Sequence, residues 1–122
     1  MLILFLESSF PAEFYPEIKI FNADKLMHML IYGFLAMVCY ISFIHQKKIK
    51  IFYEKPLISA LIFSSLYGAS DEIHQYFVPR RSCDFFDWVA DTIGIIIMIL
   101  IIKYFLQLKL SLFKKQELEY GT

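Results

Sequence analysis

Three long apolar stretches dominate this chain, and charged residues gather at one end of each. The stretches cover residues 25–44, 57–78 and 84–108, and each reaches the roughly 20 residues that a helix needs to cross a hydrocarbon layer of about 30 Å. A charge beside hydrocarbon is costly, so it persists only where partners or a function stabilise it. The sequence therefore predicts an all-α, polytopic membrane protein with three full transmembrane helices and its chemistry at one end of them.

The composition fits a small membrane protein of one domain. Of the 122 residues, 58% are hydrophobic and 18% are aromatic, which exceeds the apolar share of an ordinary soluble domain. Lys plus Arg and Asp plus Glu both number 12, so no basic surplus indicates nucleic acid binding. Residues 1–6 form a short apolar segment, about a third of a span. We predict one domain over residues 1–122, with a motif-bearing core at about 22–108 and a mixed cytoplasmic tail at 109–122, for which an interfacial helix is the alternative.

Capping and turn residues set the predicted limits of the helices. Asp24 suits the N-cap of the first helix, Pro56 suits the first turn of the second, and Pro79 follows the end of the second. The β-branched run at residues 95–102 would favour a strand in water. In a bilayer an isolated strand leaves its backbone polar groups unsatisfied, so a helix is predicted there.

The distribution of lysines predicts which side of the membrane each loop faces. The loop at residues 46–55 holds four lysines against Glu54 alone, and the C-terminal tail holds three more. Because cytoplasmic loops are enriched in Lys and Arg, we predict that this loop and the tail are cytoplasmic and that the loop at residues 79–87 is extracytoplasmic. This topology places all three charged groups on the extracytoplasmic face.

The polar residues of each stretch repeat at helical spacing and form one stripe per helix. The stripes comprise Asp24, His28 and Tyr32 in the first stretch, Tyr67, Asp71 and Gln75 in the second, and Asp84, Asp87, Asp91 and Gly94 in the third. Residues three or four apart share a helix face, and a polar face is expensive in contact with lipid. The stripes are therefore predicted to turn inward and form a polar pocket open to the outer leaflet.

The order of these motifs resembles the VanZ-like family of bacterial integral membrane proteins, over about residues 22–100. The motifs are DKxxHxxxY at residues 24–32, YxxxDExxQxxxPxR at residues 67–81 and DxxxDxxG at residues 87–94. The namesake of the family lowers sensitivity to the lipoglycopeptide teicoplanin. The resemblance implies a multi-pass protein of the bacterial cytoplasmic membrane with a role in glycopeptide tolerance or in a lipid-linked process of the cell envelope.

A binding function is the first hypothesis for the predicted pocket. Its ligand would be a lipid head group, a lipid-linked cell-wall precursor or a lipoglycopeptide. Lys25, His28, Arg80 and Arg81 would act as cationic donors, since arginine binds phosphate or carboxylate through two parallel bonds. The residues predicted to form this pocket are Asp24, Lys25, His28, Tyr32, Tyr67, Asp71, Glu72, Gln75, Arg81, Asp87 and Asp91.

An intramembrane hydrolase or transferase acting on a lipid-linked substrate is the second hypothesis. His28 would serve as general base, Asp71 or Asp91 would fix its tautomer, and Glu72 would act as acid. No Gly-x-Ser-x-Gly elbow accompanies these residues, so no nucleophile is assigned. A site built from His28, Glu72, His74 and Asp91 is possible in principle for zinc or another divalent ion. Their spacing does not specify a metal site, and we predict neither a metal nor a cofactor.

A structural or partner-binding membrane subunit is the third hypothesis, and such a small bundle could form a homo-oligomer in the lipid bilayer. Under this hypothesis Asp24 and Asp87 cap helix N-termini, where the helix dipole favours negative charge. Lys25 extends to the membrane surface. Close helix approach is the role predicted for three glycines: Gly33, Gly68 and Gly94.

Overall fold

A computed structural model describes residues 23–79 and 84–120 of the chain. All its regular secondary structure in these ranges is helical: α1 spans Ala23–His45, α2 Lys50–Glu54, α3 Pro56–Gln75 and α4 Phe85–Tyr120. The predicted all-α class is confirmed for the described residues. The apolar segment predicted at residues 1–6 lies outside them.

Two of the described helices, α1 and α4, are long and apolar enough to cross a membrane. Their candidate spans are Lys25–His45 and Phe85–Leu118. The 20 residues of α3 give it a length of about 30 Å, but acidic residues near its C-terminal end make it less apolar than the other two. Three full spans therefore stay a prediction.

The three long helices form a bundle in which α3 runs antiparallel to both α1 and α4. Lys25 near the start of α1 contacts Asp87 near the start of α4, whereas Tyr32 of α1 contacts Asp71 near the end of α3. α1 packs against both neighbours, and more extensively against α4. As a result, the first turns of α1 and α4 and the last turns of α3 meet at one end of the bundle.

Backbone contact between α1 and α4 is possible because two glycines lie where the helices cross. A Cβ atom at Gly94 would overlap the carbonyl oxygen of Met29 and lie 2.6 Å from its Cα, and one at Gly33 would lie 3.1 Å from the carbonyl oxygen of Gly94. Small residues let membrane helices approach closely and gain van der Waals contact. The predicted role of these glycines in close helix approach is confirmed.

Beside this crossing the helices bury a small apolar core, while many large apolar side chains remain at the surface. Ala36, Ala60 and Ile95 are fully buried. Exposed apolar residues occur on α3 as well as on α1 and α4: examples are Leu30, Phe34, Ile58, Ile62, Leu66, Ile73, Ile97 and Leu100. This distribution suits helices whose outer faces contact lipid rather than water.

The tail predicted from residue 109 is helical as far as Tyr120, since α4 continues into it without a break. No proline or glycine occurs between residues 95 and 120, and the Leu, Lys, Gln and Glu residues there favour helix. Nothing in this segment ends the helix where the composition changes from apolar to mixed.

Smaller corrections apply to the other helix limits. α3 ends at Gln75 rather than at residue 78, and residues 76–78 form a turn ahead of Pro79, since a residue that precedes proline is disfavoured in the helical conformation. α1 begins at Ala23, so Asp24 lies inside its first turn and not at the N-cap. The predicted loop at residues 46–55 contains the short helix α2.

Candidate functional site

Polar side chains fill the end of the bundle where the first turns of α1 and α4 meet the last turns of α3. Asp71, Glu72, Gln75 and Asp91 are buried there, with exposed fractions of 7%, 3%, 4% and 0%. Charged side chains are almost never fully buried unless they are paired. The partners of these four residues therefore decide what the cluster can do.

His28 and Asp91 form a close pair between α1 and α4. Nδ1 of His28 lies 3.0 Å from Oδ1 of Asp91, and the imidazole ring is parallel to the ring of Tyr32, with 6.4 Å between the ring centroids. A carboxylate that contacts one imidazole nitrogen fixes the orientation and the tautomer of the ring. Of the two carboxylates predicted to hold His28, Asp91 is the one in contact.

Asp71 belongs instead to a network between α1 and α3. Its Oδ2 accepts hydrogen bonds from the hydroxyl of Tyr32 at 3.0 Å and from Nε2 of Gln75 at 3.2 Å. Its Oδ1 has no hydrogen-bond partner among the described residues. The ring of Tyr67 lies beside that of Tyr32, with 6.4 Å between centroids.

Lys25 pairs with two aspartates at the start of α4. Its Nζ lies 3.2 Å from Oδ2 of Asp84 and also contacts Oδ1 of Asp87. Asp84 accepts the backbone N–H of Phe86 at 2.8 Å. This N–H, together with Lys25, lowers the pKa of Asp84.

The hydrogen bond from the N–H of Phe86 makes Asp84 the N-cap of α4. The alternative in which Asp87 is the cap is wrong, because Asp87 lies in the first turn and binds Lys25.

Glu72 connects the end of α3 to the start of α4. Its Oε2 accepts the backbone N–H of Asp84 at 3.0 Å. Its Oε1 has no hydrogen-bond partner among the described residues, and neither has Oδ2 of Asp91. One ligand-type atom each from His28, Glu72 and Asp91 lies within 4.8 Å of the other two. His74, which the sequence placed among possible ligands, is not part of this group.

The predicted pocket residues whose side chains are described all lie at this end of the bundle. The side chain of Asp24 lies outside the description, as do Arg80 and Arg81. What is described is a packed polar network contributed by three helices. An opening toward the outer leaflet and a function for each residue stay predictions.

Sequence reasoning missed a second polar contact between α3 and α4. Nε1 of Trp88 donates to the backbone carbonyl of Ser65 at 3.1 Å, and the hydroxyls of Ser65 and Thr92 lie 3.2 Å apart. The four-residue spacing of Trp88 and Thr92 was the available signal for a shared face. Spacing within one helix gives no information about the partner on another helix.

Residues 1–107 of the chain match a protein family described as VanZ/LLP1. The matched region includes α1, α3 and all of the α4 residues that build the polar cluster. No curated protein and no solved structure gives a significant match.

Proposed function

The chain belongs to the VanZ/LLP1 family, and on this premise we propose that it is a multi-pass membrane protein that binds the polar part of an envelope lipid or lipid-linked precursor. The binding site is the polar cluster built by the ends of α1, α3 and α4, on the extracytoplasmic side. Through this binding the protein contributes to tolerance of glycopeptides such as teicoplanin.

The observation that carries the proposal is a set of buried carboxylate oxygens without partners among the described residues. They are Oδ1 of Asp71, Oε1 of Glu72 and Oδ2 of Asp91. A buried polar group without a partner costs about 1–3 kcal/mol, and more when it is charged. A ligand that donates hydrogen bonds to these oxygens would offset this cost.

The chemistry of the cluster narrows the ligand class. Carboxylates accept hydrogen bonds, so Asp71, Glu72 and Asp91 suit hydroxyl, amide or ammonium donors of the kind that sugars, peptides and lipid head groups carry. Lys25 already contacts Asp84 and Asp87, which argues against its predicted role as a cationic donor to an anionic ligand. Recognition of a phosphate would then depend on Arg80 and Arg81, the predicted donors in the loop that joins α3 to α4.

The exposed apolar face of α3 supports a third span. Ile58, Ile62, Leu66 and Ile73 of this helix are 51% to 66% exposed, and such large side chains are suited to lipid. Asp71 and Glu72, which make α3 less apolar overall, are buried inside the bundle. The lysines of residues 46–55 then favour the cytoplasmic side for the loop between α1 and α3.

This topology makes a direct prediction for reporter fusions. We expect alkaline phosphatase joined after residue 79 to be active, because that point lies outside the cytoplasm. The same reporter joined after residue 48 should be inactive, and a fluorescent protein should give the opposite pattern. Phosphatase activity at both positions, or its absence after residue 79, would contradict three spans in this orientation.

The function is tested by antibiotic tolerance in a sensitive Gram-positive host. We expect the native chain to raise teicoplanin tolerance several-fold with a smaller effect on vancomycin, and we expect Asp71→Asn to abolish the gain. The substitution keeps the shape of the side chain but removes its charge, so the bundle should still insert.

Glu54→Gln is the matched control, since Glu54 is an exposed carboxylate in α2, at the other end of the bundle. Membrane abundance of the three chains is compared by immunoblot. Unchanged tolerance in cells that contain the native chain, or equal tolerance with Asp71→Asn at equal abundance, would refute the proposed role.

An enzymatic function is the second candidate, and the pairing of His28 with Asp91 favours it. A buried carboxylate that orients an imidazole is the arrangement used by general bases. Ser70, which precedes Asp71 in the sequence, is exposed and its hydroxyl donates to the carbonyl of Tyr67 at 2.7 Å, so His28 would activate a water molecule. Mass spectrometry of envelope lipids decides between the two functions. A new lipid product with the native chain but not with His28→Gln indicates catalysis, and unaltered lipids exclude it.

A further inference from the structure

Five carboxylates gather at the polar end of the bundle. Its carboxylates are Asp71, Glu72, Asp84, Asp87 and Asp91, and its described cationic side chains are Lys25 and, when protonated, His28. Lys25 pairs with Asp84 and Asp87, and His28 contacts Asp91. Ionised carboxylates inside a membrane bundle are strongly destabilising without compensation.

Two of these carboxylates, Glu72 and Asp91, lie where three helices bring ligand-type atoms together. A ring nitrogen of His28 and one carboxylate oxygen each of Glu72 and Asp91 lie within 4.8 Å of one another. Glu72 and Asp91 are 3% and 0% exposed, yet Oε1 of Glu72 and Oδ2 of Asp91 have no hydrogen-bond partner among the described residues. Two buried carboxylates that each have an oxygen without a partner, beside an imidazole at this distance, form a set of groups that a cation can bind.

We propose that His28, Glu72 and Asp91 bind one divalent metal ion, with a ligand from each of α1, α3 and α4. One imidazole and two carboxylates form a ligand set that suits Zn²⁺ or Mn²⁺ and leaves positions open for water or a ligand. Ligand atoms about 2.1 Å from a shared ion lie at most about 4.2 Å apart. Side-chain rotations that bring the three ligand atoms closer together by about 1 Å are therefore sufficient for all three to bind one ion.

The surroundings of the three side chains support such a site. The backbone N–H of Asp84 holds Glu72 through its other oxygen, and outer contacts of this kind orient metal ligands. Gly68 lies beside Asp91, where a Cβ atom would be 3.1 Å from Oδ2. A larger residue at position 68 would take up the space next to this oxygen.

The inference does not depend on the proposed function, because it concerns ion binding by the isolated protein. The full-length chain is purified in detergent, depleted of metal and titrated with Mn²⁺, and free Mn²⁺ is followed by electron paramagnetic resonance. We expect one Mn²⁺ per native chain, displaced by Zn²⁺. Glu72→Gln should weaken the affinity at least tenfold, as expected for loss of a ligand.

Asp84→Asn is the matched control, since it removes one negative charge at the same end of the bundle and leaves the three ligands in place. It should keep the native affinity. The melting temperature of the native chain is a second readout. Zn²⁺ should raise it, because an ion that binds the folded state stabilises that state. Absence of Mn²⁺ and Zn²⁺ binding by the native chain would overturn the proposal and indicate that protons neutralise the carboxylates. Equal weakening by Glu72→Gln and Asp84→Asn would overturn it in favour of diffuse charge attraction.

Discussion

Gly94→Ala is expected to disrupt the contact between α1 and α4 and to reduce sharply the amount of folded protein. The added methyl group would overlap the carbonyl oxygen of Met29 and lie 2.6 Å from its Cα. Both are backbone atoms of α1, so no side-chain rotation relieves the overlap and the helices must separate. Extra methyl groups in packed interiors typically cost about 1–3 kcal/mol. We expect this substitution to reach the top of that range or exceed it.

Thermal unfolding of the purified chain in detergent measures the effect. Ile93→Ala is the matched control, because Ile93 is the neighbouring residue and is 44% exposed. Gly68→Ala is a graded comparison, since its methyl group would meet only side-chain atoms of Asp91 and Tyr32, at 3.1 and 3.2 Å. If Gly94→Ala melts at the same temperature as Ile93→Ala, the two helices do not cross as described.

His28→Ala is expected to destabilise the bundle strongly, because it leaves Asp91 buried without the imidazole that contacts it. Removing one member of a buried ion pair typically costs about 3–5 kcal/mol, whereas replacing both members with apolar residues is often neutral. The double variant His28→Ala with Asp91→Leu should therefore recover most of the lost stability. Melting temperatures and membrane abundance of the native, single and double variants test this pattern.

The same variants separate a structural pair from a functional one. If the pair serves ligand binding or catalysis, the stable double variant should still lack teicoplanin tolerance. Recovery of tolerance together with stability would mean that His28 and Asp91 only hold α1 and α4 together. A single His28→Ala variant as stable as the native chain would instead show that Asp91 does not depend on His28.

The location of the polar cluster was predictable from the sequence, whereas its pairing was not. Helical spacing places Asp71 and Asp91 on inward faces, because lipid excludes them from the other faces. Which of them contacts His28 depends on how the helices align. α1 and α4 run parallel, which brings His28 and Asp91 together across a sequence separation of 63. One turn further along α1, Tyr32 contacts Asp71 on α3 instead.

The sequence offers His28, Glu72 and Asp91 as possible ligands, but it specifies neither their proximity nor the continuity of α4, for different reasons. The change in composition near residue 108 predicts a tail there, but the segment contains neither proline nor glycine, and the helix continues through it. His28, Glu72 and Asp91 lie on three separate helices. No short motif records their proximity, which arises only from the packing of the bundle.

The unequal lengths of the helices bear on how the protein matches the thickness of its membrane. α4 has 36 residues and is therefore about 54 Å long, whereas α1 and α3 are close to the hydrocarbon thickness of about 30 Å. Burying all of α4 would demand a tilt of more than about 50°, beyond the roughly 0–40° range of membrane helices. On the proposed topology the shorter helices set the depth of the bundle. The surplus of α4 then carries Lys109, Lys114 and Lys115 to the inner leaflet, where anionic lipids attract basic residues.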